Sequence, residues 1–176
     1  PATHLQWWEG AQHTQLDFFD SNLKEKNKEI HFSQINLWNL TTKSWELSVQ
    51  NKTPIWNLRS EGLASINHLE GCLVPNSDLK ADSEVNLVHD PWRPTPSIGG
   101  HLSDTSGEAN RYQLDIRPDV AVFTSDPILK DLRLEGIPTL FLKTNCDREC
   151  FDLFVALSII PKAVENTVTQ LSTGVL

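Results

Sequence analysis

The segment Val88-His89-Asp90-Pro91-Trp92-Arg93-Pro94-Thr95-Pro96-Ser97-Ile98-Gly99-Gly100 leaves its backbone little freedom. From Pro91 to Gly100 it carries three prolines and two glycines in ten residues. Each proline fixes its own φ and pushes the residue before it into extended geometry. The glycine pair supplies backbone conformations that side chains disfavour. Asp90, Trp92, Arg93 and His101 are set along this stiff frame, so the segment holds polar and aromatic groups in fixed directions. A flexible linker would be richer in Ser and Gly and would lack Trp. The segment therefore reads as a shaped loop, with Asp90, Trp92 and Arg93 as candidate binding residues.

Around that loop the chain has the composition of one soluble domain, or of one domain and a piece of another. It has 176 residues, 39% hydrophobic and 22% charged, which is the balance of a globular protein and not of a disordered one. The net charge of −8 and the lack of any basic stripe argue against nucleic acid as a partner. Phe151 to Ile160, the longest apolar run, is broken by Asp152 and Ser158 and is too short to span a bilayer, so no membrane partner is expected. There is no methionine at all, which suggests that Pro1 is not a natural start and that the chain is a fragment. Cys72, Cys146 and Cys150 cannot all pair, and the Cys146/Cys150 spacing lacks the second ligand pair of a zinc site. Unpaired thiols in a reducing, cytoplasmic setting are expected.

Local patterns point to one helix followed by many short strands. Leu16, Phe19 and Leu23, with Phe18 beside them, give one helical apolar face. Thr14 with Asp17 three residues on resembles a capping box, and Lys24, Lys26 and Lys28 complement the helix dipole's negative end. Ile30/Phe32 and Ile35/Leu37 suggest a strand, and Trp45/Leu47/Val49 alternates against Ser44/Glu46/Ser48 across a turn at Thr41-Thr42-Lys43. Residues 58 to 84 read as an irregular stretch with short strands, with short apolar pieces at Ile66, Leu69 and Cys72 to Val74. Val120 to Thr124 is the strongest strand by β-branched content. Leu132–Leu134 and Thr139–Leu142 flank Gly136-Ile137-Pro138 as a strand with a bend. Phe151/Leu153/Val155/Leu157/Ile159 and Leu171–Leu176 supply the last two. Short strands separated by Gly, Pro, Asn and Asp argue for a β-sandwich or jelly roll. Its core is thin, and the last strand leaves an open edge that a second copy of the chain could pair with.

The loop and the strands after it carry a family resemblance. Asp90-Pro91-x-x-Pro94-x-Pro96-Ser97-x-Gly99-Gly100 resembles a hallmark of the C-terminal domain of the X-Pro dipeptidyl-peptidase / cocaine esterase (CocE/NonD) hydrolases. Arg117-Pro118-Asp119-Val120-Ala121-Val122-Phe123-Thr124-Ser125 is similar to the strand that follows in that family, and Leu134-Glu135-Gly136-Ile137-Pro138 to the next motif. Phe151-Asp152-Leu153 with Leu157-Ser158, then Leu171-Ser172-Thr173-Gly174-Val175, resemble its later strands. Near the start, Pro1-Ala2-Thr3-His4 followed by Phe18-Phe19-Asp20-Ser21-Asn22-Leu23-Lys24 resembles the end of the family's α/β-hydrolase domain, with Ala2 where the family has Trp.

The resemblance implies a mainly β fold: a jelly-roll-like, galactose-binding-like β-sandwich, incomplete, behind a helix left from an α/β-hydrolase domain. It implies three parts: residues 1–28 as the end of the hydrolase domain, 29–84 as connecting strands and irregular chain, and 85–176 as the jelly-roll portion. It also implies a parent serine hydrolase acting on amide or ester bonds, its catalytic α/β-hydrolase domain as partner, and His4 as the triad base. A histidine suits that role because imidazole exchanges protons near neutral pH. Taken alone, His4 reads as a terminal, disordered histidine, and His13 as a surface residue at a helix start. Ser106 and Ser125 lack the Gly-x-Ser-x-Gly elbow, so neither nucleophile nor triad acid is expected here, and the chain alone is expected to be inactive. His89, Asp90, His101 and Asp104 match no metal-site spacing, Asp90 serves equally as a turn residue bonding its own backbone, and no metal or cofactor is expected. Trp7 and Trp8 are expected to face the hydrolase domain. The competing reading is a free-standing carbohydrate- or ligand-binding jelly-roll module that stacks exposed Trp on its ligand.

Overall fold

The structure is a computed structural model that describes residues 7–24, 35–49, 54–75, 84–94, 96, 98–99, 109–162 and 164–176. The chain divides at Lys52/Thr53 into two compact units; described residues up to Val49 belong to the first and those from Pro54 onward to the second. The protein is mainly β, with seven short strands in three small sheets and two helices among the described residues, the content of a partial β-sandwich.

In the first unit, helix α1 (Ala11–Leu23) forms where the apolar spacing predicts it. Its start differs from the expected capping box. Gly10 is the N-cap, and Thr14 lies inside the helix with its N–H on the Gly10 carbonyl at 3.1 Å. The physical reason is the Trp8 ring, which lies so close over Gly10 that a Cβ there would collide with it. Trp8 also turns its carbonyl to the Ala11 N–H at 3.0 Å, so tryptophan and glycine begin the helix together. At the other end Lys24 reaches Asp20 at 2.6 Å, and the side chains of Ser21 and Asn22 bond the carbonyls of Asp17 and Phe18. Lys26, Lys28 and the Ile30/Phe32 pair lie outside the described residues.

Strands β1 (Asn36–Asn39) and β2 (Ser44–Leu47) form the expected antiparallel hairpin. Asn39 organises its turn: Oδ1 accepts the Thr41 and Thr42 N–H groups, and Nδ2 donates to Glu46 Oε1 at 2.8 Å. Trp38 and Trp45 are direct cross-strand partners with ring centroids 5.4 Å apart, and Trp8 lies 5.3 Å from Trp45. Three tryptophans thus join the start of α1 to the hairpin. Trp8 packs within its own unit, whereas Trp7 is 75% exposed.

The second unit is built on a sheet in the order β3-β4-β5. Strand β3 (Trp56–Arg59) pairs antiparallel with β4 (Cys72–Pro75), and β4 pairs parallel with β5 (Thr124–Ser125). Between β3 and β4 the chain turns repeatedly. The Glu70 carboxylate closes those turns by accepting from Ser60 Oγ at 2.6 Å and from the Glu61 N–H. These bonds hold the Glu70 carboxyl below its ordinary value, with Ser60 the main cause.

The strand expected over Val120–Thr124 shortens to Thr124–Ser125. Its earlier half faces a turn instead of a strand: Val122 N–H bonds the Ala64 carbonyl at 3.1 Å, and only Thr124 onward meets β4, its N–H on the Gly71 carbonyl at 3.0 Å. Ala64 is fully buried at this junction. A Cβ on Gly71 would overlap the Val122 carbonyl oxygen, so the two backbones approach as closely as they do only because position 71 has no side chain.

The strands expected at Leu132–Leu134 and Thr139–Leu142 do not form. From Asp126 to Asp152 no described strand lies alongside to complete their hydrogen bonds, and a strand exists only through its ladder. Strands β6 (Phe154–Ile159) and β7 (Thr169–Val175) pair antiparallel with a bulge between Leu157 and Ser158. The short helix α2 (Tyr112–Asp115) is attached to β7 through an Asn110–Thr169 bridge.

The Gly71–Val122 approach makes a direct prediction. Gly71→Ala should cost about 1–3 kcal/mol in urea unfolding, as forced overpacking does. Gly174→Ala, where an added Cβ meets nothing within 4 Å, should stay within about 0.5 kcal/mol of the parent.

Candidate functional site

The shaped loop is a turn locked by an arginine that follows it in the chain. Asp90 Oδ1 accepts the Trp92 N–H at 2.9 Å, the Arg93 N–H bonds the Asp90 carbonyl at 3.0 Å, and Arg93 Nε lies 3.5 Å from Asp90 Oδ2. Asp90 thus makes the bond to its own backbone that a residue before proline favours. Arg117 then fixes the far side of the turn. Its guanidinium donates to the carbonyls of Arg93 at 2.6 Å and Pro94 at 3.2 Å, while Nε and Nη2 hold both oxygens of Asp119 in a bidentate pair.

The side chains of Arg117 and Asp119 are only 14% and 12% exposed. Hydrogen bonding to Asp119 raises Arg117 above its ordinary value, and hydrogen bonding to Arg117 lowers Asp119 below its own. The spacing explains the geometry: Arg117-Pro118-Asp119 puts guanidinium and carboxylate two residues apart across a proline, close enough to pair while the arginine's remaining donors reach the turn.

What this frame presents is Trp92. Its backbone is engaged in the turn, yet the residue is 91% exposed. Asp90, Trp92 and Arg93, the candidate binding residues, therefore share one turn, with Asp90 and Arg93 shaping it and the indole at its tip.

A second polar cluster has no counterpart in the sequence reading. Arg111 Nη1 donates to Gln170 Oε1 at 2.9 Å and Nε to Asp115 Oδ1 at 3.3 Å. Gln170, 3% exposed, passes the connection on to the Ile98 carbonyl at 3.2 Å, within the same glycine-proline loop. Burial raises the Asp115 carboxyl, opposed by Arg111 and more weakly by His68. His68 Nδ1 is buried with no hydrogen-bond partner among the described residues. Arg111 and Gln170 are 59 residues apart, so no local spacing could have announced them.

His4, His101, Asp104 and Ser106 lie outside the described residues. His13 lies on α1 and is exposed, as is His89 beside the turn. Ser125 Oγ donates to the Asp126 carbonyl at 3.0 Å. Among the described residues no three His, Cys, Asp or Glu side chains gather as a metal site, and no helix is long and apolar enough to cross a membrane.

These features define a β-domain whose charged groups are spent on shaping loops. The family comparison agrees: the model of the X-Pro dipeptidyl-peptidase C-terminal non-catalytic domain matches residues 14–176, and the chain belongs to that family. Comparisons with curated proteins and with solved structures find no match.

The Arg117–Asp119 pair sets a pH dependence. Because the folded pKa of Asp119 lies below its unfolded value, its contribution is fully present above about pH 4 and is lost as the pH falls through the folded value. Asp119→Asn should lower stability by about 1–3 kcal/mol at neutral pH and flatten the acid limb of the stability curve. Urea titrations at neutral pH and at about pH 3 check both effects.

Proposed function

We propose that this chain is the C-terminal β-domain of a serine hydrolase resembling the X-Pro dipeptidyl-peptidases and acyl esterases, non-catalytic by itself, which covers the parent's α/β-hydrolase domain. The observation that carries this reading is the family match over residues 14–176. The clamped turn supports it, because a rigid loop ending in an exposed indole is the kind of anchor that protein interfaces use. In this reading the parent cleaves amide or ester bonds, and residues 85–176 are its jelly-roll portion. Residues 29–84 connect that portion to 1–28, the end of the hydrolase domain, where His4 holds the position of the triad base.

The chain alone is expected to turn over neither a p-nitrophenyl ester nor an X-Pro amide substrate. Turnover that survives His4→Ala would overturn the reading. Joined to a catalytic domain of the family, the chain should support hydrolysis, and Trp92→Ala should weaken the association by about tenfold or more if the indole is an interface anchor.

A second reading rests on the exposure of Trp92: a free-standing module that stacks the indole on a sugar. Glycan-array binding by the chain alone, abolished by Trp92→Ala, would favour that module over the hydrolase domain.

A further inference from the structure

We propose that Cys146 and Cys150 act as a reversible thiol pair, which a small-molecule disulfide closes into an intrachain bridge at the open end of the β6–β7 hairpin. All three cysteines of the chain are free, but they are not equivalent. Cys72 lies within β4, half-buried, with Sγ directed to the Glu70 carbonyl at 3.4 Å. Cys146 and Cys150 are both exposed. The backbone bends through Asp147–Glu149 between them, and both residues line one surface depression of about 500 Å³ together with Arg148, Phe151 and Leu176.

A disulfide requires Cα atoms within about 7 Å and side chains that converge. Three intervening residues that bend the chain, with both cysteines lining the same depression, suit that requirement. Irregular chain also bends to accept the S–S geometry more readily than a hydrogen-bonded strand does. Cys146 Sγ accepts the Arg148 N–H at 3.4 Å and lies 3.8 Å from Asp147 Oδ1, which receives the S–H of the thiol. Both thiols are exposed, so the exchange can begin at either, and beginning at Cys150 gives the same bridge with the roles exchanged.

The exchange balances with glutathione disulfide as the oxidant. The Cys146 thiolate forms a bond to one glutathione sulfur and the glutathione S–S bond breaks. The released glutathione thiolate takes up a proton. The Cys150 thiolate then attacks the Cys146 sulfur of the mixed disulfide and expels the second glutathione. Two protein thiols are oxidised, and one disulfide molecule is reduced to two thiols.

The bridge falls where it constrains an exposed segment. Leu153 and Leu176 exchange paired N–H···O bonds at 3.0 Å, so the hairpin's hydrogen bonding begins only two residues after Phe151. Closing Cys146 to Cys150 fixes how the preceding chain reaches that point, at a depression that Leu176 also lines.

The test equilibrates the full chain in glutathione redox buffers, quenches with acid, alkylates the remaining thiols and maps them by mass. The expected result is loss of two of the three alkylatable thiols, a Cys146–Cys150 linked peptide with Cys72 still alkylated, and reversal by reduced glutathione. The bridging equilibrium should be about tenfold more favourable in the native chain than in urea. Cys150→Ser should stop at one glutathione adduct on Cys146, and Cys146→Ser at one on Cys150. Retention of all three thiols, adducts that never resolve to a bridge, a bridge to Cys72, or equal equilibria in the native and urea-unfolded chain would each overturn the proposal.

Discussion

Arg117 makes four hydrogen bonds, two to the carboxylate of Asp119 and one each to the carbonyls of Arg93 and Pro94. The prolines around Trp92 remove N–H donors and bias φ, but they cannot close a turn unaided. Closure comes from Asp90 on the near side and Arg117 on the far side. Asp119 holds the guanidinium in the one orientation that meets both carbonyls. Arginine suits this role where lysine would not, because its planar fork serves a carboxylate and two carbonyls at once while staying charged. The motif at 117–119 and the turn at 90–94 are thus one structural device, written in two places in the sequence.

The same economy extends through the second unit. Among its described residues the buried apolar side chains are only Ala64 and Leu114, whereas Ser60, Ser65 and Gln170 are buried polar groups with partners. Backbone contact and hydrogen bonding therefore carry positions that larger apolar side chains hold elsewhere. Gly71 lets Val122 approach, Glu70 ties the turns before β4, and Gln170 links β7 to Ile98. Such links are directional, so each tolerates little displacement. Removing one partner leaves the other desolvated, which costs more than the bond contributed.

Local features are legible in the sequence, and long-range ones are not. Helix α1, the β1–β2 hairpin with its turn, and the last two strands follow from apolar spacing over a few residues. The helix start departs from expectation because Thr14 has the chemistry of a cap, whereas the position is decided by a ring stacked over Gly10. Val120–Phe123 stays out of the sheet for a related reason: β-branched residues report that a segment would suit a sheet, not that a neighbour is there to pair with it. The strand at Trp56–Arg59 escapes notice because its four residues alternate too briefly to stand out. At the candidate site Asp90, Trp92 and Arg93 can be picked out from the loop itself. The role of Arg117 requires knowing that its guanidinium folds back onto residues more than twenty positions earlier.

The apolar surface bears on what such a domain is for. Leu129, Ile137 and Phe141 are about nine-tenths exposed, all within the stretch that lacks a ladder, and Trp92 is equally open on its clamped turn. Monomeric proteins rarely leave so much large apolar surface uncovered, since each such side chain forgoes about 1.5–3 kcal/mol of burial. The two kinds of exposure differ in kind. The indole stands on a hydrogen-bonded turn, so its backbone is already ordered when something packs on it. The stretch from Asp126 to Asp152 has no described strand beside it. A covering domain would bury the indole and the exposed side chains of that stretch together, which supports the reading of this chain as one part of a larger hydrolase.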